Sequence, residues 1–311
     1  MTKRVDSTDA AYVLYSIVPL EWIFKLGRAY GTLTYLTRRR LRRIVRRNLA
    51  AAFGATKTRR EIDLLTRRFF VAKRSRGVLL AIAPRLTTEQ MEALLPLEGL
   101  EHLDAALQQN RGVVLLGSHL NSLCLFNVIV MLRERGYDIG VVLAEPGDPW
   151  APSALRARLA RRLNTKPVYE LLDAFYAQFN IRPIVRRLAD NRIVAQTGDG
   201  LHSARFVEVD FLGRKSPLPT GMLRVAQVAG AVVVPIFQVG SPPDGLRILI
   251  EEPRTVARGE DQLQEAVAAY AKRLEHHLLQ NVECWEHWLI EDTLATIASW
   301  QARPLRERYE V

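Results

Sequence analysis

The chain is poor in cysteine and lacks the short signatures that mark common cofactor sites. Its 311 residues include only Cys124 and Cys284, far apart and outside any Cys-x-x-Cys spacing. Structural zinc and a disulfide framework are therefore not expected, and a reducing compartment is the natural setting. No Gly-x-Gly-x-x-Gly, Walker loop, His-Glu-x-x-His or Gly-x-Ser-x-Gly run occurs. That removes the local signals of dinucleotide, nucleoside-triphosphate, zinc-protease and serine-hydrolase sites. No small-residue cleavage site follows the first apolar stretch, so a removed secretory signal is not expected. There is no internal repeat and no low-complexity linker. Hydrophobic residues make up 48% and charged residues 25%, the balance of a folded globular chain and not of a disordered or collagen-like one.

Acid is scarce in one region. Residues 1–80 hold 19 Lys and Arg against 5 Asp and Glu, whereas the remainder holds 25 against 28. The net charge of +11 therefore belongs to the N-terminal quarter. There, residues 10–36 are apolar and aromatic but interrupted by Glu21, Lys25 and Arg28. A bilayer-spanning helix needs about 20 mostly uncharged residues, and central charges cost several kcal/mol. Trp22, Tyr30 and Tyr35 suit a helix lying in the headgroup region instead. Seven arginines follow within residues 38–47, and such clusters are drawn to anionic lipid by about 1 kcal/mol per residue. We read residues 1–55 as amphipathic, basic, membrane-associating helices and residues 56–311 as a catalytic-type domain. The membrane contact is expected to be peripheral or monotopic. No nucleic-acid motif accompanies the charge, so nucleic acid is not an expected partner. Nothing in the sequence sets the oligomeric state.

Further along, short apolar runs alternate with helical patterns. Strands are expected at residues 97–101, 113–116, 139–143, 166–169, 193–197 and 231–239, with 246–250 at an edge. Helices are expected within residues 56–84, 104–109, 121–135, from 152 or 153, within 174–189, at 219–230, and from 261 through most of the tail to 300. This alternation predicts an α/β fold with a mainly parallel sheet flanked by helices.

The main chemical feature is Gly117-Ser118-His119-Leu120-Asn121 at the end of a buried strand. Ligands of open α/β sheets bind beyond the carboxyl ends of the strands. A histidine there can take a proton from a hydroxyl or an amine near neutral pH; a packing histidine is the plainer reading of one such residue taken alone. His276, His277 and His287 lie in the tail without a metal-like acid pattern. They read as surface or packing residues, and no metal site is expected.

Six blocks then stand in order: residues 43–53, residues 112–119, Phe211-Leu212-Gly213-Arg214, Pro219-Thr220-Gly221, Val233-Val234-Pro235-Ile236-Phe237 and Glu283-Cys284-Trp285. On these the chain resembles the bacterial lipid A biosynthesis acyltransferases, within the wider lysophospholipid acyltransferase superfamily. The resemblance implies an α/β body held at the cytoplasmic face of the inner membrane through its N-terminal region. It implies transfer of an acyl group from an acyl carrier protein or CoA thioester to a lipid or glycolipid hydroxyl, with no cofactor beyond that co-substrate. His119 becomes the general base of a His-x-x-x-x-(Asp/Glu) motif. Ser118, Asn121, Arg214, Thr220 and Gly221 become candidate substrate-binding residues, with Arg214 suited to a phosphate or carboxylate. Backbone N–H groups of the helix from about Asn121 are placed to hold an oxyanion. Arg156, Arg158, Arg161 and Arg162 offer a basic face to an acidic carrier protein, and equally to acceptor phosphates or to solvent.

The motif is broken at its second position. Five residues after His119 stands Cys124, a weak hydrogen-bond partner that cannot, when neutral, stabilise an imidazolium. Glu145-Pro146 also stands where relatives tend to carry a basic residue before proline. Four readings compete. A distant carboxylate orients His119, with Glu145 and Asp199, both after strand ends, as candidates. Alternatively His119 acts alone on an amine, in a diverged enzyme acylating an amine or a small metabolite. Third, Cys124 accepts the acyl group itself. Last, catalysis is lost and a lipid-binding protein of the same fold remains. In Gln196-Thr197-Gly198-Asp199-Gly200 the two glycines allow close approach of the backbone to a ligand. Cys124 is expected to be neutral and structural, as buried cysteines usually are.

Overall fold

The computed structural model describes residues 18–83, 86–143, 173–176, 181–200, 203, 205–242 and 245–290. Helices α1 (Leu20–Thr37) and α2 (Arg39–Phe53) are divided at Arg38, whose φ of −88° and ψ of 67° break the helical path. Arg42 closes the end of α1 by donating to the Tyr35 carbonyl at 2.8 Å. Helix α3 (Arg59–Ile82) opens on a capping box: Thr58 accepts from the Glu61 N–H, and Glu61 accepts from the Thr58 N–H at 2.8 Å. Thr87 and Gln90 repeat the device at α4 (Thr88–Leu94).

The body follows. Strand β1 (Leu97–Glu98) and α5 (Leu100–Leu107) lead to β2 (Val113–Gly117), α6 (Ser122–Glu134), β3 (Ile139–Leu143) and β4 (Asp173–Tyr176). Then come α7 (Arg182–Ala189), β5 (Ile193–Thr197), the hairpin β6 (Phe206–Phe211) and β7 (Arg214–Pro219), and α8 (Gly221–Ala229). Strands β8 (Val232–Val239), β9 (Arg247–Ile250) and β10 (Arg254–Thr255), helix α9 (Glu260–Gln280) and two 3-10 turns, Val282–Cys284 and Glu286–Leu289, complete the described chain.

Eight strands form one sheet in the order β1-β9-β8-β2-β5-β3-β4, with β10 beside β8. All its pairings are parallel except β8 with β9 and β10. Strand β2 is central and buried on both faces. Val113 and Leu115 join a core with Val78 and Leu79 of α3 and Val128 of α6. Val114 and Leu116 join the opposite core with Val45 and Leu49 of α2 and Val267 and Leu274 of α9. Covering on both faces is why these strands read as unbroken apolar runs. Helix α3 links the two layers. Its 24 residues span about 36 Å, with Ile62, Phe69 and Phe70 in one core and Val78, Leu79 and Ile82 in the other.

The helices before residue 55 share these cores: Ile23 and Phe24 enter one, and Val45, Leu49 and Phe53 the other. Close packing of α1 on α3 depends on Gly31, where a Cβ would lie 2.7 Å from the Val71 Cα. The outer side of α1 exposes Trp22, Leu26, Leu33 and Leu36. Among the described residues no helix is long and apolar enough to cross a membrane.

Three expectations change. Residues 173–176 form a strand where none was expected, while the helix expected within 174–189 is present as Arg182–Ala189, next to Pro183. The hairpin β6–β7 was not expected. It turns through Leu212 and Gly213 at φ 52° and 71°, the left-handed pair that a two-residue hairpin needs. The helix expected from 261 stops at Gln280, and the chain continues as short 3-10 turns. The helix expected from 152 or 153 and the strand at 166–169 lie outside the described residues.

Candidate active site

Strands β2 and β5 run parallel with Gly117 opposite Thr197, so the residues after them leave the sheet side by side. The Gly198 N–H extends the ladder to the Gly117 carbonyl at 2.8 Å. The buried Tyr270 hydroxyl of α9 donates to the same carbonyl at 2.6 Å. Only glycine fits at 198, because a Cβ there would lie 2.7 Å from the Tyr270 ring.

Two residues beyond each strand end, His119 meets Asp199. The carboxylate accepts the His119 backbone N–H at 2.9 and 3.0 Å and the Trp285 indole N–H at 2.9 Å. Its Oδ1 also lies 2.8 Å from His119 Nδ1. A carboxylate only accepts, so Nδ1 carries the proton and Nε2 is left with the lone pair. The His119 side chain is 29% exposed and Asp199 only 3%; solvent reaches the imidazole and not the acid.

The electrostatics follow from this pairing. Burial alone would push the His119 imidazolium down, but the charge and hydrogen bond of Asp199, with Glu286 beyond, hold its proton affinity above the ordinary value. For Asp199, burial would push the carboxyl up; the His119 charge and hydrogen bond, with His287 and Trp285, hold it well below the usual range. His287 lies face to face with His119, ring centroids 4.2 Å apart and planes tilted 33°. Its Nε2–H donates to the Asp199 carbonyl at 2.8 Å. Burial first, then the charge of His119, push His287 down to about 4. It stays neutral while its neighbour titrates.

The turn carrying His119 is clamped by the segment after α9. The Asn121 N–H donates to the Cys284 carbonyl at 2.9 Å, and the Glu286 N–H to the His119 carbonyl at 3.0 Å. Glu286 in turn binds the fully buried Arg76 of α3, with Nη2 to Oε1 at 2.7 Å. Burial would raise the Glu286 carboxyl, but Arg76 and Lys73 bring it to about 2.

The other expected site residues are spent elsewhere. Ser118 and Asn121 are fully buried. The Ser118 hydroxyl accepts from the Leu120 N–H at 3.2 Å, and the Asn121 amide donates to the Gln238 and Gly240 carbonyls at 2.8 and 2.9 Å. Arg214 donates to the Ala51 carbonyl at the end of α2. The Thr220 hydroxyl reaches the Arg205 carbonyl at 3.3 Å, and Gly221 opens α8 beside Ser203. Glu145 and Arg156, Arg158, Arg161 and Arg162 lie outside the described residues. Cys124, in the first turn of α6, is fully buried, and burial pushes its thiol up to about 12.

Sequence reasoning took His287 for a packing or surface residue and gave Trp285 no role. The block Glu283-Cys284-Trp285 was a signal for the second; a lone histidine two residues further carried none.

His119, Asp199 and His287 offer ligand atoms within 4.8 Å of one another. The two ring centroids lie 4.2 Å apart with planes tilted 33°. The carboxylate is already filled by N–H donors, and His287 Nε2–H is engaged.

The family model described as bacterial lipid A biosynthesis acyltransferase matches residues 9–292. No curated protein matches the chain.

Proposed function

The chain belongs to the bacterial lipid A biosynthesis acyltransferases, and from that premise we propose that it moves an acyl group from a thioester to a hydroxyl of a lipid or glycolipid, with His119 as general base and Asp199 as its orienting carboxylate. The observation that carries this reading is the 2.8 Å contact of His119 Nδ1 with a buried acid. In the resting site Nδ1–H is held by Asp199 and Nε2 takes the proton of the acceptor hydroxyl. The acceptor oxygen attacks the thioester carbonyl. First-turn N–H groups of α6 other than that of Cys124, which the Asn121 carbonyl takes at 2.8 Å, serve the oxyanion. Collapse forms the ester and breaks the C–S bond, and the thiolate leaves with the proton from Nε2. Asp199 stays ionised throughout. An acyl carrier protein or CoA brings the thioester, and no other cofactor takes part.

The reaction takes place at the cytoplasmic face of the inner membrane, with the protein bound peripherally. Support comes from the outer side of α1, where Trp22, Leu26, Leu33 and Leu36 are 53, 38, 53 and 58% exposed. Their spacing follows one side of the helix, and such a stripe suits insertion at the headgroup level.

The test is mass spectrometry of membrane-lipid acceptors after incubation with purified protein and acyl carrier or acyl-CoA thioester. An acylated lipid that forms only while His119 is intact is expected. No product from either donor, with folded protein and a full lipid extract, would refute the reading.

A further inference from the structure

The densest charge on the molecule takes no part in this chemistry. A cleft of about 700 Å³ lies between the outer side of α2 and the turn into α3. Arg39, Arg43, Arg47 and Arg59 line it with three further basic residues and no carboxylate. Of those three, Arg42 is engaged in closing α1 and Arg46 in an ion pair with Asp63. Arg39, Arg43, Arg47 and Arg59 make no ion pair among the described residues.

These charges stand where the helix disfavours them. Four of the first five residues of α2 are arginines, and its first turn holds no acid. The N-terminus of a helix carries a positive partial charge, so each cation there costs about 0.3–1 kcal/mol. Arg39 with Arg43, and Arg43 with Arg47, add like-charge repulsion of about 0.2–0.5 kcal/mol each. Among the described residues only Asp63, on Arg46, is paired with an arginine of the cleft. An external anion offsets the repulsion on binding.

We propose that this cleft docks an acidic carrier protein that presents the acyl thioester to His119. The inference rests on the acyl-transfer reading above. Three observations favour a protein over the membrane surface. The cleft is concave, whereas a bilayer is flat. Its lining has no exposed large apolar side chain, and the stripe suited to lipid lies on α1. Lastly, the opposite side of α2 packs on the segment that holds His287: Asn48 donates to the Trp288 carbonyl at 2.9 Å, and Phe53 meets the Trp288 ring at 5.9 Å. Cleft and catalytic pair thus lie on opposite sides of one helix, whose diameter is about 10–12 Å. A carrier seated on the arginines keeps its body outside while its thioester arm reaches the site. Nucleic acid is disfavoured because no aromatic side chain lines the cleft.

The test is the triple variant Arg43→Glu, Arg47→Glu, Arg59→Glu, assayed with an acyl carrier protein and with an acyl pantetheine thioester that has no protein attached. The KM for the carrier should rise about tenfold or more, with kcat unchanged and the KM for the pantetheine thioester unchanged. Added salt should raise the wild-type KM for the carrier and leave that of the variant nearly flat. The melting temperature should not fall, since the reversals relieve repulsion. An unchanged carrier KM overturns the proposal, and so does equal impairment with both donors. A variant that loses binding to phosphatidylglycerol vesicles while its carrier KM holds assigns the cleft to the membrane and overturns it too. If no donor supports acyl transfer, calorimetric titration of the carrier still decides: binding lost in the variant supports docking, and no binding to wild type refutes it.

Discussion

His119 meets Asp199 at 2.8 Å, and His277 meets Glu251 at the same distance, yet the two acids keep different company. Glu251 is also held by Arg273, whose Nε lies 3.1 and 2.9 Å from its two oxygens. A permanent cation therefore answers its charge. Besides His119 Nδ1, the Asp199 carboxylate is held by a backbone N–H and an indole N–H, neither of which carries charge, and the neutral His287 donates to the Asp199 backbone carbonyl instead. The negative charge of Asp199 is left for the His119 ring. Access differs as well: the His277 side chain is 5% exposed and packs against Phe237 at 4.5 Å, whereas His119 is 29% exposed. Distance alone does not make a base. The remaining partners of the acid, and an open edge on the ring, do.

Four substitutions test that contrast. His119→Ala should lower acyl transfer about 10²–10⁴-fold, the range for a lost general base, with an unchanged circular-dichroism spectrum. His277→Ala should leave turnover within a few-fold. Comparable losses in the two variants would erase the distinction between the pairs.

Asp199→Asn should cost about 10²-fold and also move the pH profile. The base works when neutral, so activity rises with pH through the raised His119 value. Removing the opposing charge while burial remains brings that limb to lower pH. A limb that stays put, measured as kcat/KM against pH, would mean that Asp199 does not set the imidazole.

Glu251→Gln should leave activity intact and lower stability by about 2 kcal/mol, the scale of hydrogen bonds to charged groups. Burial would raise the Glu251 carboxyl, but His277 and Arg273 bring it from 4.5 to about 2. A depressed carboxyl stabilises the fold above its unfolded value, and that contribution is lost as pH falls from about 4.5 to about 2. Acid unfolding of the variant, followed by fluorescence, should be flatter across that window.

The smallest effect belongs to Cys124→Ser, expected to keep activity within about threefold. Cys124 occupies the place of an acid in the motif but bonds neither histidine, and its buried thiol is held protonated. Intact-protein mass spectrometry with donor alone should show no adduct. A stoichiometric acyl group mapped to Cys124 would transfer the chemistry away from His119.

Much of the frame was legible before any coordinates. The largely apolar runs at 113–116, 139–143, 193–197 and 231–239 became β2, β3, β5 and β8 because a strand covered on both faces is apolar along most of its length. Helix α6 begins where Asn121 marks its start, though with Asn121 in the left-handed region at φ 52°. The hairpin β6–β7 stayed hidden, since its strands mix Glu208, Asp210 and Lys215 into the pattern and its turn uses leucine where glycine or asparagine is usual. Of the site, His119 was legible from its place after a buried strand. Asp199 was one of two candidate acids, and His287, read as a packing or surface residue, is indeed buried, but its stacking on His119 was not foreseen.

By itself, then, the sequence determined the alternating α/β order, the concentration of positive charge before residue 80, and the strand end that carries His119. These are local properties of composition and period. Which acid meets that histidine was decided only by tertiary structure. Asp199 lies 80 positions away, and it reaches His119 because parallel pairing sets Gly117 opposite Thr197. Trp285 and His287 arrive from further still, after α9 has returned the chain to the same strand ends. The energy of a buried carboxylate depends on every donor that surrounds it, and those donors come together only when the sheet, α3 and the C-terminal turns close around one point.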